Sequence, residues 1–192
     1  YSDGSVQEVR QQWNDWIAQT IRVYADEEYV EMEWTVGPVP VDDNIGKEVI
    51  TRFETNFENN KEFYTDANGR QNVKRVRNSE QQSCGQYKES VSKNYYPIYE
   101  RSFIQDHQKD IQLTVLTDRA QGGSSEADGQ LELMIHRRLL AVKDISLNET
   151  GVDGKGLVVR GKHYLFFKPI NESTKLYRDL SRRLVMSPLM TF

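Results

Sequence analysis

The sequence is short of several things at once, and each shortage removes a class of protein. Cys84 is the only cysteine among 192 residues, so no disulfide can close within the chain. No apolar run approaches the roughly 20 residues that span a bilayer, so a membrane-spanning protein is not expected. Positive charge is not in excess: 25 Lys+Arg face 29 Asp+Glu, a net charge of −4, the wrong sign for a general nucleic-acid binder. The histidines, His107, His136 and His163, are scattered with no HxH or HExxH spacing, so no metal site is expected from this chain alone. No GxSxG elbow marks a nucleophilic serine, and the glycines of Gln121-Gly122-Gly123-Ser124-Ser125 lack the Lys-Ser/Thr of a phosphate-binding loop.

Aromatic residues are not scarce. The 3 Trp, 10 Tyr and 7 Phe suffice to nucleate a core, and the length suits one large domain or two small ones. Tyr1-Ser2-Asp3-Gly4 opens with neither Met, basic n-region nor apolar h-region, which reads as a trimmed chain or an internal piece of a longer precursor. Asn148-Glu149-Thr150 and Asn171-Glu172-Ser173 both fit the N-glycosylation acceptor pattern. In a secretory chain Cys84 would be an unpaired thiol or half of a bridge to another segment; otherwise it is a small buried hydrophobe.

Along the chain, Val6, Val9, Trp13, Trp16, Ile17 and Ile21 fall at helical spacings. Residues 20–24 alternate instead, and Val30, Met32, Trp34 and Val36 alternate with Glu31, Glu33 and Thr35, a half-buried strand after a turn at 25–28. Glu31 and Glu33 would then share a face about 7 Å apart, and a solvated strand face is favoured over a working carboxylate pair. The prolines of 37–40 break the ladder, β character resumes over 47–55, and Asn59-Asn60 marks a loop. Residues 63–70 read as a strand entering an Asn-Gly turn. Residues 71–93 read as a polar loop carrying the basic cluster Lys74, Arg75 and Arg77, with too few aromatics for a nucleic-acid platform. Further strands are expected at 95–99 and 111–116, around a turn at 106–110, then a glycine-rich loop at 121–125. A strand at 131–136 ends in Arg137-Arg138, and strands at 157–160 and 163–167 follow a loop at 151–156. Leu176, Tyr177, Leu180 and Leu184 form one short helix with Ser173 or Thr174 as its cap. Seven or more strands against one helix define a β-sandwich class. By pattern alone Arg137 and Arg138 are salt-bridge formers.

Six blocks carry a resemblance: EWTVGPVP at 33–40, GKEVITRF at 46–53, FYTDANGR at 63–70, NYYP at 94–97, LTVLTDRAQGGSS at 113–125 and LELMIHRRLL at 131–140. In order and spacing they resemble the C-terminal half of family 38 glycoside hydrolases, in the lysosomal-type branch, and they span essentially the whole chain. The resemblance implies a mainly β fold, a β-sandwich or supersandwich of the galactose-mutarotase-like kind with a short C-terminal helix, over residues 1–192. It implies strands, not a helix, at residues 6–17. It also implies retaining hydrolysis of terminal non-reducing α-D-mannose in N-glycan-derived oligosaccharides, in the lysosome, the secretory pathway or the extracellular space. The two carboxylates of that chemistry and the zinc ion would belong to an N-terminal catalytic domain that these residues do not include. This chain would be inactive alone and partnered by that domain, or by other fragments of one precursor, with α-mannoside glycans as ligands. Arg137 and Arg138 are carried over as the edge of the substrate cleft, where a guanidinium fork suits sugar hydroxyls. The competing expectation is a freestanding, non-catalytic carbohydrate-binding or structural β-sandwich.

Overall fold

Period-two side-chain alternation, rather than the helical spacing near the start, organises the chain. The structure is a computed structural model and describes residues 4–79, 91–140, 149–185 and 191. Cys84 and the acceptor Asn148 lie outside the described residues. Among the described residues twelve strands form two antiparallel sheets, with one α-helix, which is the architecture of a mainly β, β-sandwich protein. The chain divides into two compact units, residues Tyr1–Thr51 with Met134–Tyr164 and residues Arg52–Leu133 with Leu165–Phe192.

In the first unit β1 (Val6–Asn14), β2 (Ile17–Tyr24) and β3 (Val30–Val36) form a meander. Register puts Glu8, Arg22 and Glu31 in one cross-strand row and Val9, Ile21 and Met32 in the next, on the opposite face. The apparent helical stripe is thereby dispersed: Val9 and Trp13 are 56% and 67% exposed, which an apolar helix face would not be. The turn between β1 and β2 is fixed by the Asn14 side chain, whose Oδ1 accepts the Trp16 N–H at 3.0 Å. The core of this unit is Trp34, Val36 and Val39, with Trp16, Ile17, Val49, Ile135 and Val159 packed on it. Those last three residues come from β4 (Lys47–Glu54), β11 (Gln130–Arg138) and β12 (Val159–Lys168). The two strands expected at 157–160 and 163–167 are one, β12, because neither Gly161 nor Lys162 interrupts its ladder.

The second unit holds β5 (Glu62–Ala67), β6 (Gln71–Val76), β7 (Tyr96–Ile98), β8 (Arg101–Asp106), β9 (Ile111–Thr117) and β10 (Gln121–Ser124). Its core is Phe57, Phe63, Ile98, Ile104, Leu113, Val115, Leu131 and Leu133. Three expectations are corrected here. Residues 71–76 are strand β6, not loop: the turn at Asn68 (φ 53°) and Gly69 (φ 70°) folds the chain back onto β5 in register. β8 was not expected at all, because it pairs with both β5 and β9 and is buried on both faces, so it shows no alternation to read. Residues 121–124 form strand β10 between β7 and β11 rather than a loop. Gly123 is glycine for close approach, since a Cβ there would lie 2.2 Å from Ile98 Cδ1.

The helix α1 (Ile170–Leu180) starts earlier than its apolar residues suggest, and neither Ser173 nor Thr174 caps it. Pro169 stands at its start, with φ already near the helical value and no N–H to satisfy. Ser173 instead donates its hydroxyl back to the Pro169 carbonyl at 3.0 Å. Tyr177 anchors the helix: its hydroxyl accepts the Asn72 amide at 2.8 Å, and the Arg101 guanidinium lies 4.5 Å from its ring centre.

Two measurements check this account of the fold. Leu113 is fully buried, so Leu113→Ala should lower the free energy of unfolding in urea by about 2–5 kcal/mol, whereas the exposed Val9→Ala should change it by less than about 0.5 kcal/mol. The second concerns acid. Asp106 accepts backbone N–H groups from Glu58, Gln108 and Lys109 and pairs with the Lys109 ammonium at 2.9 Å. The Glu58 N–H first, then the Lys109 ammonium, holds its carboxyl down from the ordinary 3.8 to about 2. A depressed carboxylate stabilises the fold fully above its unfolded value and loses that contribution as pH falls through the folded one. Asp106→Asn should therefore destabilise the protein at pH 5 and make progressively less difference as pH falls from about 4 to 2, read by thermal unfolding against pH.

Candidate functional site

Strand β11 ends in the two arginines, and consecutive strand residues face opposite ways. Arg138 turns inward. It is 6% exposed, and its Nη1 donates to the carbonyls of Val39 at 2.9 Å and Lys155 at 2.6 Å. Arg137 turns outward, half exposed, with its Nη1 3.4 Å from a Glu48 carboxylate oxygen on β4. The loop closing over Arg138 is tied by the Gly156 N–H donating to the Thr150 carbonyl at 2.8 Å. Gly156 has φ +112°, and a Cβ there would lie 2.7 Å from Arg138 Nη1, so backbone conformation and guanidinium both demand glycine.

Together with His136, Glu149, Leu157 and Val159, the two arginines line a cleft of about 320 Å³. Burial holds the His136 imidazole below its ordinary value, with the Glu149 carboxylate pulling the other way. The cleft thus presents a permanently charged fork, an imidazole biased to neutrality and an apolar wall of Leu157 and Val159. That set combines hydrogen-bond donors with an apolar face.

The other residues singled out in the sequence resolve differently. Glu31 and Glu33 are not a solvated strand face. Arg22 Nη1 bridges both, at 2.8 and 2.7 Å, while its Nε reaches Glu8 at 2.7 Å, and Lys162 adds a contact to Glu31 at 3.1 Å. The Arg22 guanidinium holds the Glu33 and Glu8 carboxyls below the ordinary range. This network was within reach of sequence reasoning, because the turn assigned at 25–28 already sets Arg22 opposite Glu31. Lys74, Arg75 and Arg77 are separately engaged: Lys74 with Glu62 at 2.9 Å, Arg75 over the Tyr96 ring at 4.3 Å, and Arg77 with Asp128 at 2.8 Å. His107 is exposed, His136 lines the cleft and His163 is buried against Trp34. Among the described residues no three His, Cys, Asp or Glu side chains are grouped to hold a metal ion. Asn171 sits exposed on α1, in the second unit.

Fold and cleft together define a β-sandwich module with an arginine-edged cleft and, among its described residues, no group of three His, Cys, Asp or Glu placed to hold a metal. Residues 1–144 match the family described as Glycosyl hydrolases family 38 C-terminal domain, and the chain belongs to that family. It is 44% identical over 184 residues to the lysosomal alpha-mannosidases of Mus musculus and Homo sapiens, covering 95% of this chain and 18% of each of those proteins. To the alpha-mannosidase of Canavalia ensiformis it is 40% identical over 195 residues, covering 96% of this chain and 20% of that protein. The chain thus spans about a fifth of the length of the curated relatives it matches.

A stability comparison separates the two arginines. Arg138→Ala strands two carbonyls that its guanidinium serves, at about 1–3 kcal/mol each, whereas Arg137→Ala removes one exposed ion pair worth less than about 1 kcal/mol. Urea titration of both variants should show a large loss for the first and almost none for the second; equal losses would contradict the division of roles.

Proposed function

We propose that this chain is the β-rich, non-catalytic part of an acid α-mannosidase that removes terminal non-reducing α-D-mannose from N-glycan-derived oligosaccharides with retention of configuration, in the lysosome or elsewhere in the secretory pathway. The observation that carries this reading is identity of 40–44% to mannosidases of animals and a plant along 95–96% of the chain. On this reading the catalytic carboxylate pair and the zinc ligands lie in a catalytic domain outside these 192 residues, either in the same polypeptide or as a chain assembled with it. Zinc would supply Lewis-acid contact to sugar hydroxyls there, and the described residues take no part in holding it.

What the chain itself supplies is an edge to the substrate cleft. Arg138 is committed to two carbonyls and acts as a strut. Arg137 is the arginine able to meet substrate, since exchanging its 3.4 Å pair with Glu48 for two hydroxyl oxygens costs little. A guanidinium hydrogen-bonded to neighbouring hydroxyls contributes about 1.5–3 kcal/mol of binding.

The test is made in the complete enzyme with p-nitrophenyl α-mannoside and an oligomannose substrate. Arg137→Ala should raise KM by about ten- to hundredfold with kcat changed far less, and Arg137→Lys should recover part of the loss. Chelation of zinc should abolish turnover of the complete enzyme without unfolding this chain. Unchanged KM in Arg137→Ala would remove Arg137 from the cleft; a complete polypeptide that does not hydrolyse α-mannosides would overturn the reading itself.

A further inference from the structure

Attachment of sugar to Asn171-Glu172-Ser173 requires two side chains at once, the asparagine amide and the hydroxyl two residues on. Backbone conformation decides whether one enzyme can reach both. In an extended chain residues i and i+2 project to the same side. In a helix each residue advances 100°, so i and i+2 point about 200° apart, onto opposite faces.

The folded protein holds this acceptor in helix α1. Asn171 and Glu172 are exposed, whereas Ser173, Tyr177 and Leu180 form the buried face. Ser173 is 0% exposed, and its one hydroxyl proton is directed at the Pro169 carbonyl, 3.0 Å away, with the Lys168 carbonyl at 3.5 Å. The hydroxyl an acceptor must offer is therefore sequestered, while the amide it would activate stands open. Glu172 and Thr174 put no proline within or directly after the pattern.

We infer that Asn171 is an N-glycosylation site of the unfolded chain only: the glycan is attached before α1 forms and packs, and folding then closes the site by burying Ser173. In the transfer, Asn171 Nδ2 forms a bond to the anomeric carbon of a lipid-pyrophosphate-linked oligosaccharide. The carbon–oxygen bond to the pyrophosphate breaks, the lipid pyrophosphate leaves with the electron pair, and the displaced amide proton passes to a base of the transferase. The product fits the fold. A glycan on Asn171 projects from the exposed face, and Ser173 remains free to close onto Pro169. Occupancy is then set by a race between transfer and helix formation, so slowing the helix raises it.

The inference rests on the secretory part of the proposed function, and the experiment separates the two. The complete protein is directed into the endoplasmic reticulum with a cleavable signal, whose removal reports entry, and Asn171 occupancy is read by mass spectrometry after enzymatic deglycosylation in heavy-oxygen water. Occupied Asn171 is expected, with Asn171→Gln losing one glycan and retaining secretion, and Tyr177→Ala raising occupancy by weakening α1. In a second arm, unglycosylated folded protein and a synthetic peptide of residues 167–177 are offered to purified oligosaccharyltransferase with its lipid-linked donor. The peptide should be modified at least about tenfold faster, because the folded site reacts only when α1 opens. An unmodified Asn171 in protein whose signal has been cleaved, or equal rates for folded protein and peptide, would overturn the inference. Mannosidase activity measured on the same material stands or falls independently.

Discussion

The inward turn of one guanidinium governs the cleft at the end of β11. Arg138 sits at the end of β11 and serves carbonyls from two segments far away in sequence, Val39 and Lys155. A buried arginine with fixed acceptors cannot rotate away, and the two-residue period of the strand then forces its neighbour Arg137 to the opposite side. Gly156 belongs to the same constraint, since no side chain fits between its backbone and Arg138. The outward guanidinium is thus placed by packing rather than by its own weak contact to Glu48.

Charge in the first unit is organised by a related device. Arg22 spans β1, β2 and β3, so one guanidinium joins carboxylates from both flanking strands. Glu31 is 5% exposed and would be costly to bury alone; Arg22 and Lys162 make its burial tolerable. The opposite face of the same strands carries Trp34 and Val36 into the core. Strand β3 therefore has one face held by ion pairs and one by apolar packing, and its sequence alternates for this reason.

How much was legible in the sequence depended on burial. Strands with one wet face, such as β3 and β4, announce themselves by alternation. β8 does not: it is enclosed by β5 and β9, and its Arg101, Ser102 and Asp106 are buried with their polar groups satisfied, so polar residues stand where a core strand should be apolar. β6 reads as loop because Lys74, Arg75 and Arg77 look solvated, whereas Lys74 pairs with Glu62 across the hairpin and Arg75 and Arg77 meet Tyr96 and Asp128 from later in the chain. The glycines of β10 resemble a loop until Ile98 is seen to need the space. At residues 6–17 the helical spacing misled, and the family resemblance, not periodicity, gave the strands. For the cleft, the sequence supplied the arginine pair; which member faces outward depended on the carbonyls of Val39 and Lys155, contacts across 99 and 17 residues that no local pattern encodes.

On the proposed reading these residues build the edge of a mannosidase cleft and leave the chemistry to another domain. Turnover of p-nitrophenyl α-mannoside tests it most directly, comparing the isolated 192-residue chain with the complete polypeptide at equal molarity. Activity is expected in the complete polypeptide and none in the isolated chain. Hydrolysis by the isolated chain, or its absence from the complete polypeptide, would contradict it.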